Sequence, residues 1–570
     1  MKKGREKMLG KWITRHKNII LIIAFALLIP SVFGYVSTRV NYDVLSYLPN
    51  TLETVSGQDT LVDEFGMGAF SMVVVEDMTN KQAAALEKKI EGIEHVKDVL
   101  WYDDMLDISV PTEMLPKNLE EAFFNGNATM MIALFDDTTS ADDTMDAITN
   151  IRKTVGKDVY ASGMSGVVTD IKNLALKEMP VYVAIAAALS LLVLLITMDS
   201  FLTPVIFLTN IGMAIVFNLG SNIFLGEISY ITQALAAVLQ LAVTMDYSIF
   251  LLESYEANKK RFPDDKKRAM AHAISNTFKS VSSSSVTTIA GFVALCFMTF
   301  KLGANIGIVM SKGVVIGVIT CVTVLPAMIL TFDKAIEKTT HKALIPPLTK
   351  VSDFIVKHYK VAIVIFLVLL GPAVYGNSNY KIYYNIDQGL PKNIPSAIAN
   401  DKLKEHFNMS NVHMVLLKDG LSAKEKNQMI KKIEKVDGVK WVIGLNSLVG
   451  PNFPDSMIPE DVKSMLKTDN YELQFVCSDY SSATDEVNAQ LDEMQKIVKG
   501  YQKDAMVIGE APLMKDLQDT TDVDLKTVNY ISIAAIFVII LITFKSISIP
   551  IILVSVIEFA IACNMAVPYY

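Results

Sequence analysis

The chain has 570 residues, of which 51% are hydrophobic and 20% charged, and its mean hydropathy is +0.36. A chain this apolar is unlike a soluble protein of the same length, so we expect a multi-spanning membrane protein with several domains. The formal net charge is −8, and the acidic and basic residues lie in separate stretches. This pattern gives no support to nucleic-acid binding.

The cysteines and histidines carry no signature of a catalytic or metal centre. Cys296, Cys321 and Cys563 lie in apolar runs, which leaves only Cys477 in a polar stretch and excludes a disulfide framework there. The seven histidines show no metal-ligand spacing, and no nucleotide-binding or hydrolase motif occurs in a strand-turn-helix context. We therefore predict no enzyme activity, no metal site and no cofactor.

The N-terminal segment 1–18 is strongly basic and precedes the apolar run 19–36. Lysine and arginine beside a first span normally stay in the cytoplasm. The run is long and no small-residue cleavage site follows it, so we interpret it as an uncleaved first helix. The prediction is a plasma-membrane or inner-membrane protein with a cytoplasmic N-terminus.

Apolar runs and two long polar stretches alternate along the rest of the chain. We predict an external domain at 37–178, five spans within 179–332, a cytoplasmic linker at 333–360, a seventh span at 361–375, a second external domain at 376–525 and two further spans within 526–570. The basic loop between the fourth and fifth spans agrees with a cytoplasmic location for that loop.

The two polar stretches share one pattern of strands and helices. The first has predicted strands at 70–77, 96–102, 128–135 and 158–164 and helices at 81–93 and 142–154, and the second has strands at 412–417, 439–443, 471–477 and 506–508 and helices at 424–435 and 484–499. The order β-α-β, β-α-β is typical of a ferredoxin-like domain with a split βαβ unit. The predicted fold class is an α-helical polytopic membrane protein with two external α+β domains.

The fourth apolar run, 231–252, contains Asp246, which is followed directly by Tyr247. An aspartate in a spanning helix costs roughly 2.5–3.5 kcal/mol on insertion scales, so it normally faces a bundle interior and takes part in ion or proton movement. An alternative is that Asp246 reaches water, because it lies about five residues, or roughly 7 Å, from the middle of the run.

Other polar residues in the spans have two interpretations each. Ser284 and Thr288, one turn apart in the fifth span, can support Asp246 with hydroxyl groups or can bond the carbonyls of their own helix. Gln233 and Gln240 share a helix face with Tyr247 and are expected to make packing hydrogen bonds. In the polar stretches, Trp101 and Trp441 occupy nearly matched positions and are expected in the domain cores, with a ligand-facing role as the alternative.

A repeat runs through the whole chain. KKIEGIEHVKDV matches KKIEKVDGVKWV, and TMDSFLTPV matches TFKSISIPI. A repeat of this length indicates a duplicated transporter-like unit. The matched residues Thr197 and Thr543 are 346 positions apart, which would put the counterpart of Asp246 near position 592, about 22 residues beyond Tyr570. We therefore expect the chain to be the front part of a longer protein, with three helices missing, and to be inactive alone.

The segment TMDYSIFLLESYE at 244–256 resembles the fourth-helix signature of the MmpL branch of the resistance-nodulation-division (RND) superfamily. The LP element in YLPN at 47–50 and the connector and fifth span at 269–292 fit the same family. The resemblance implies that Asp246 takes up and releases protons, that Tyr247 hydrogen-bonds in the same relay, and that the proton gradient supplies the energy.

The expected function is therefore proton-driven export or translocation of a lipid or another hydrophobic compound. Expected partners are membrane lipids and the hydrophobic substrate, with no nucleic acid and with either a monomer or a trimer as the oligomeric state. Two alternatives remain: a lipid-sensing or scaffolding membrane protein of the same fold, and a protein-export accessory.

Overall fold

The computed structural model describes residues 2–104, 115, 117–156, 158–341, 349–380, 382, 384, 389–445 and 460–570. The helices are α1 (Lys2–Arg15), α2 (Lys17–Ser37), α3 (Glu53–Phe65), α4 (Asn80–Glu91), α5 (Lys117–Phe123), α6 (Asp142–Thr154), α7 (Met164–Thr197), α8 (Leu202–Gly220), α9 (Tyr230–Arg261), α10 (Lys266–Ala294), α11 (Lys301–Lys338), α12 (Thr349–Lys357), α13 (Tyr359–Asn379), α14 (Pro395–Phe407), α15 (Ala423–Ile433), α16 (Glu460–Leu466), α17 (Asp485–Tyr501), α18 (Glu510–Phe544) and α19 (Ser548–Ala566). The strands are β1 (Arg39–Asn41), β2 (Ala69–Glu76), β3 (Val96–Leu100), β4 (Phe124–Asn125), β5 (Ala128–Phe135), β6 (Val159–Ser162), β7 (Glu227–Ser229), β8 (Asn411–Lys418), β9 (Val439–Gly444), β10 (Tyr471–Ser478) and β11 (Met506–Gly509). The middle of the predicted linker, 342–348, lies outside the described residues.

Nine helices of the described chain are long and apolar enough to cross a membrane: α2, α7 to α11, α13, α18 and α19. Each coincides with a predicted apolar run, and several extend beyond it. Helix α10 begins at Lys266 and joins the predicted connector to the fifth span without a break. The predicted strand 158–164 is wrong at its end, because Gly163 has a φ of +93° and Met164 starts helix α7.

The chain forms two compact units, which we call the helical unit and the sheet unit. The helical unit comprises Met1–Asn41, Lys177–Tyr383 and Asp524–Tyr570, and the sheet unit comprises Tyr42–Leu176 and Tyr384–Val523. Helices α7 and α18 each continue from one unit into the other.

The helical unit is built around α11 and α9, which contact each other and both contact α8 and α10. Helix α2 lies against α8 and α11, and α13 lies against α19. Apolar side chains such as Phe207, Leu251 and Leu325 fill its core and are fully buried. Helices α2 and α8 approach so closely that a Cβ atom on Gly34 would lie 2.2 Å from the carbonyl oxygen of Gly220. Small residues permit such close packing between membrane helices.

The sheet unit contains two sheets of matching topology. The first has the strand order β3-β5-β2-β6, with β4 also paired to β5, and the second has the order β11-β8-β10-β9. All neighbouring strands within each of these sheets are antiparallel. In both, the third strand of a β-α-β-β-α-β series lies between the first and the second, which is the arrangement of a split βαβ unit.

Each half of the sheet unit places one helix against the last strand of the other half. Helix α3 contacts β11, where a Cβ atom on Gly57 would lie 2.5 Å from Ile508 Cγ2, and helix α14 contacts β6. Trp101 and Trp441 are 0% and 4% exposed, which confirms their predicted positions in the core.

Candidate functional site

Helix α9 presents a polar face to the interior of the helical unit. Gln233, Gln240 and Tyr247, seven residues apart, are 8%, 2% and 3% exposed. Because seven residues complete almost two helical turns, these side chains lie on one side of the helix. The predicted shared face is therefore confirmed and points inward.

Two amides on this face join three helices. Asn218 Nδ2 on α8 donates to Gln240 Oε1 at 3.0 Å, and Gln240 Nε2 donates to the carbonyl oxygen of Gly313 on α11 at 3.2 Å. Gln233 Nε2 similarly donates to the hydroxyl oxygen of Tyr35 at 3.2 Å. The expected packing hydrogen bonds of both glutamines are confirmed.

Glycines let α11 approach this polar face closely. A Cβ atom on Gly313 would lie 2.6 Å from Asn218 Nδ2, and one on Gly317 would lie 2.7 Å from Thr244 Oγ1. Both distances are too short for a real Cβ contact, so a larger residue at either position would displace the side chain of Asn218 on α8 or of Thr244 on α9.

Lys312 is a cation within the α11 span that the sequence analysis did not single out. Its Nζ donates to the carbonyl oxygen of Asn218 at 3.0 Å and to Asn222 Oδ1 at 2.5 Å. Asn218 lies in the last turn of α8, whose carbonyl groups have no partner within the helix. Lys312 therefore caps the C-terminus of α8, a favourable place for a positive charge. Its sequence signal was a lysine inside an apolar run, which is rare enough to deserve inspection.

Asp246 lies on the other side of α9. Its side chain is exposed on the helical unit, in a stripe formed with Leu239, Ala242 and Phe250, and it has no hydrogen bond or ion pair to any described residue. The expectation that it faces the bundle interior is wrong for the described chain. Adjacent residues of a helix point roughly 100° apart. Because the side chain of Tyr247 points into the helical unit, that of Asp246 points away from it.

Tyr247 is buried, and its hydroxyl group has no hydrogen-bond partner among the described residues. The predicted hydrogen-bonded relay between Asp246 and Tyr247 is thus not formed in this structure. Their roles in proton transfer stay predictions.

Ser284 and Thr288 are not hydrogen-bonded to Asp246 either. Thr288 Oγ1 donates to the carbonyl oxygen of Ser284 at 3.3 Å, and Thr287 Oγ1 donates to the same carbonyl at 2.6 Å. Both bonds fall within helix α10, as the alternative interpretation of these hydroxyls expected. Ser284 is exposed and Thr288 half-buried, and both line a groove of about 710 Å³ together with Ile540 of α18. Their support for Asp246 remains a prediction.

A charged cluster joins the C-terminal ends of α9 and α11 to the start of α10. The Tyr255 hydroxyl group donates a hydrogen bond to Asp333 Oδ1 at 3.2 Å, and Lys266 forms an ion pair with the same carboxylate. Lys259 and Lys266 also bind Glu337, at 2.7 and 2.9 Å. The basic residues that indicated topology in the sequence therefore also tie these helices together.

The sheet unit contains a cavity of about 420 Å³. Its walls include six buried apolar side chains: Met67, Met72, Leu134, Met409, Met414 and Phe475. Asp43, Asp59, Asp401 and Glu510 also line it. Burial raises the pKa of Asp43 to about 6, although backbone N–H groups of Leu45 and Ser46 oppose the shift. The cavity thus combines apolar walls with acidic groups, and one of these loses its charge in mildly acidic conditions.

Three carboxyl groups of the sheet unit, on Glu87, Asp103 and Asp104, have ligand atoms within 4.8 Å of one another. Burial, together with the charges of Asp103 and Asp104, raises the pKa of Glu87 to about 9. Burial also raises the pKa of Asp104 to about 6. At neutral pH Glu87 therefore keeps its proton, which lowers the electrostatic repulsion among the three carboxyl groups.

Comparison with known proteins identifies the family. The MMPL family model matches residues 60–346 and 388–569, which together cover most of the chain and fall on the two copies of the repeat. The chain belongs to the MMPL family. The resemblance to the MmpL branch of the RND superfamily is thereby confirmed, and the protein is a multi-pass membrane protein.

Two of the relatives that match are transport proteins of Mycobacterium tuberculosis. The chain is 22% identical over 362 residues to the siderophore exporter MmpL5 of strain CDC 1551 / Oshkosh, a match that covers 60% of this chain and 37% of MmpL5. It is 24% identical over 277 residues to the probable transport protein MmpL12 of the same strain, covering 47% of this chain and 23% of MmpL12. The chain thus matches between about a quarter and two fifths of the length of these relatives.

Proposed function

We propose that this MMPL-family protein is a secondary transporter driven by the proton-motive force, and that it exports or translocates a lipid or another hydrophobic compound. The relatives MmpL5 and MmpL12, named as an exporter and as a probable transport protein, support the transport part of the proposal. In this proposal the sheet unit forms two ferredoxin-like domains outside the membrane, and the N-terminus is in the cytoplasm.

The observation that carries the proposal is the position of Asp246. It is the one carboxylate in the apolar run 231–252, and it lies in a stripe that is otherwise formed by Leu239, Ala242 and Phe250. A charged carboxylate in such apolar surroundings is strongly disfavoured, so binding a proton lowers the free-energy cost of placing the Asp246 side chain there. Asp246 would then change between a charged and a neutral state as it moves between polar and apolar surroundings.

Proton movement supplies enough energy for such a cycle. One charge crossing the membrane yields about 2.3 kcal/mol per 100 mV, which is comparable to the cost of burying an aspartate in a spanning helix. The hydrogen-bonded amides of Asn218 and Gln240, by contrast, carry no titratable proton. They are suited to holding α8, α9 and α11 together while Asp246 changes its charge.

The cavity of the sheet unit supports a hydrophobic substrate. Its volume of about 420 Å³ falls within the range of roughly 300–1,000 Å³ that is usual for small-molecule sites. Methionine side chains are flexible and adapt to ligands of different shape, and Met67, Met72, Met409 and Met414 line this cavity. The acidic groups beside them favour an amphipathic ligand whose polar part is neutral or cationic.

A lipid-translocation assay tests the proposal. The protein, expressed from its complete gene, is reconstituted into liposomes that contain an NBD-labelled phosphatidylethanolamine, and a pH gradient is imposed. Dithionite quenching reports the lipid that reaches the outer leaflet. We expect the gradient to accelerate translocation at least about tenfold, and we expect Asp246→Asn to abolish this acceleration while the protein reaches the membrane in normal amount.

Glu253→Gln is the matched control, because Glu253 lies two turns further along the same stripe of α9 and is also exposed. It should behave as wild type. Gradient-driven translocation by Asp246→Asn at the wild-type rate would refute the proton-transfer role of Asp246. If neither protein responds to the gradient but both bind the labelled lipid, the lipid-sensing alternative is favoured.

The proposed orientation has its own test. Lys267 is exposed in the first turn of α10, within the basic segment that follows α9, whereas the neighbouring Lys266 is bound to Asp333 and Glu337. In a cysteine-free background, a Lys267→Cys variant should react with an impermeant thiol reagent only after the cells are opened. Labelling of intact cells would contradict a cytoplasmic loop.

A further inference from the structure

Helix α11 begins without a cap of its own. The residue before its first turn is Phe300, whose side chain forms no capping hydrogen bond. The first N–H groups of any α-helix lack partners within the helix and need acceptors from elsewhere.

Asp524 of α18 accepts the N–H of Phe300, the N-cap residue of α11, and the N–H of Thr299, one residue before it. Its Oδ1 accepts the N–H of Thr299 at 2.9 Å, and its Oδ2 accepts the N–H of Phe300 at 2.8 Å. The side chain is 2% exposed and forms no ion pair with a described residue. Its negative charge is therefore balanced by the positive N-terminal end of α11, which is where a carboxylate stabilises a helix most.

Helix α11 in turn holds the two helices next to it. Lys312 caps the C-terminus of α8, and the carbonyl group of Gly313 accepts a hydrogen bond from Gln240 of α9. These contacts leave little freedom for α11 to slide against α8 or α9. A displacement of the start of α11 would therefore be passed to α9, the helix that carries Asp246.

Helix α18 connects this cap to the remainder of the chain. It begins at Glu510, directly after strand β11 ends at Gly509, and it runs without a break to Phe544. Asp524 lies at the point where this helix enters the helical unit. An axial shift of α18 would thus act on the start of α11 through the Asp524 carboxylate.

We propose that Asp524 is a positioning residue for transport, which makes α18 and the N-cap of α11 move as one body and so couples substrate-dependent movement to the helix of Asp246. This role rests on the proposed proton-driven transport. Asp524 itself needs no contact with the substrate or the proton. Its part is to keep α11 in register with α18 throughout the cycle.

Two variants of Asp524 test the two hydrogen bonds separately from the size of the side chain. Asp524→Asn keeps the size but presents an NH₂ group to one of the two backbone donors, so one bond and the charge are lost. Asp524→Glu keeps both acceptor oxygens. Asp519→Asn is the control, because Asp519 is an exposed carboxylate on the same helix.

The first readout is hydrogen exchange, measured by mass spectrometry on the complete protein in detergent. Asp524→Asn should accelerate exchange of the amides at 299 and 300 by about tenfold, which corresponds to about 1.4 kcal/mol. The Asp524→Glu and Asp519→Asn variants should exchange within about twofold of wild type. Unchanged exchange in Asp524→Asn would overturn the proposed cap.

The second readout is gradient-driven lipid translocation in the liposome assay. Asp524→Asn should lower the maximal rate of translocation about tenfold without changing the lipid concentration at half-maximal rate. Asp524→Glu should keep most of the wild-type maximal rate. Faster exchange combined with wild-type translocation would overturn the positioning role. If wild-type protein itself shows no gradient-driven translocation, the proposed function fails, whereas the exchange data still decide whether Asp524 caps α11.

Discussion

Asp524 and Lys312 of the helical unit are stabilised differently from two buried ion pairs of the sheet unit. In the helical unit, Asp524 and Lys312 are balanced by the ends of helices α11 and α8. In the sheet unit, buried charges meet opposite charges: Arg152 binds Asp170 at 2.7 Å, and Lys426 forms an ion pair with Glu472. A helix end offers fixed partial charges, so only one ion has to lose its water, whereas an ion pair requires that two do so.

This difference predicts where loss of one partner is most damaging. Removing one member of a buried ion pair leaves an uncompensated charge, which costs more than loss of a helix cap. Three single substitutions and one double variant test the comparison, and we give the single substitutions from the largest expected effect to the smallest.

Lys426→Met should destabilise the sheet unit by about 3–5 kcal/mol, because it leaves Glu472 buried without its cation. Glu472 is 2% exposed. Urea unfolding of the detergent-solubilised protein, followed by the fluorescence of the buried tryptophans, measures the change. Lys431→Met, an exposed site on the same helix, is the control.

The double variant Lys426→Met, Glu472→Leu distinguishes a lost charge from lost packing. Replacement of a whole buried ion pair by apolar side chains is often neutral or stabilising, so the double variant should recover most of the stability. If it is as unstable as the single variant, the uncompensated charge is not the cause.

Lys312→Met should destabilise the helical unit by about 1–3 kcal/mol, since both hydrogen bonds of Lys312 are lost and only the Ser221 hydroxyl group still donates to the carbonyl group of Asn218. The expected signs are a lower Tm in detergent and faster amide exchange around Asn218. Lys334→Met changes an exposed lysine on the same helix and should leave both unchanged. An effect larger than that of Lys426→Met would reverse the proposed order of the two units.

Glu87→Gln should stabilise the sheet unit, and the effect should depend on pH. The pKa of Glu87 rises from its ordinary value of 4.5 to about 9 on folding. Between these values the unfolded chain releases a proton that the folded protein keeps, so rising pH favours unfolding. Glutamine removes this dependence, with an expected gain of about 1–2 kcal/mol at pH 7 and none at pH 4.

Urea unfolding at the two pH values measures this effect, with the exposed Glu121→Gln as the control. A gain that is equal at pH 4 and pH 7 would show that the proton on Glu87 is not responsible. A loss of stability at pH 7 would mean that the Glu87 carboxyl group makes a contact that glutamine cannot replace.

Local sequence patterns predicted the elements well. The predicted strand 128–135 and helix 142–154 have the observed bounds of β5 and α6, because an apolar β-branched and methionine-rich run and an amphipathic run each have one favoured structure. The nine apolar runs are all helical. The direction of Asp246 was harder to predict, since a sequence shows which residues share a helix face but not which face is covered.

The functional residues likewise differ in whether the local sequence indicates them. Asp246 and Tyr247 could be found from the sequence because an ionisable residue inside an apolar run is conspicuous. Lys312 had the same signal and was missed. The roles of Asp333 and Asp524 had no signal at all, because each lies near the end of an apolar stretch where acidic residues are common.

The repeat shows most clearly what the sequence determined by itself. It places Glu178 and Asp524 at equivalent positions, 346 residues apart, each near the start of the apolar part of a long helix. The partners of these two carboxylates differ. Asp524 accepts hydrogen bonds from the backbone at the start of α11, whereas Glu178 accepts a hydrogen bond of 2.7 Å from the hydroxyl group of Tyr182, one turn away on its own helix. Position along a helix follows from the local sequence, but the partner of a side chain depends on which element lies opposite, and that is decided only by the packing of helices that are distant in the chain.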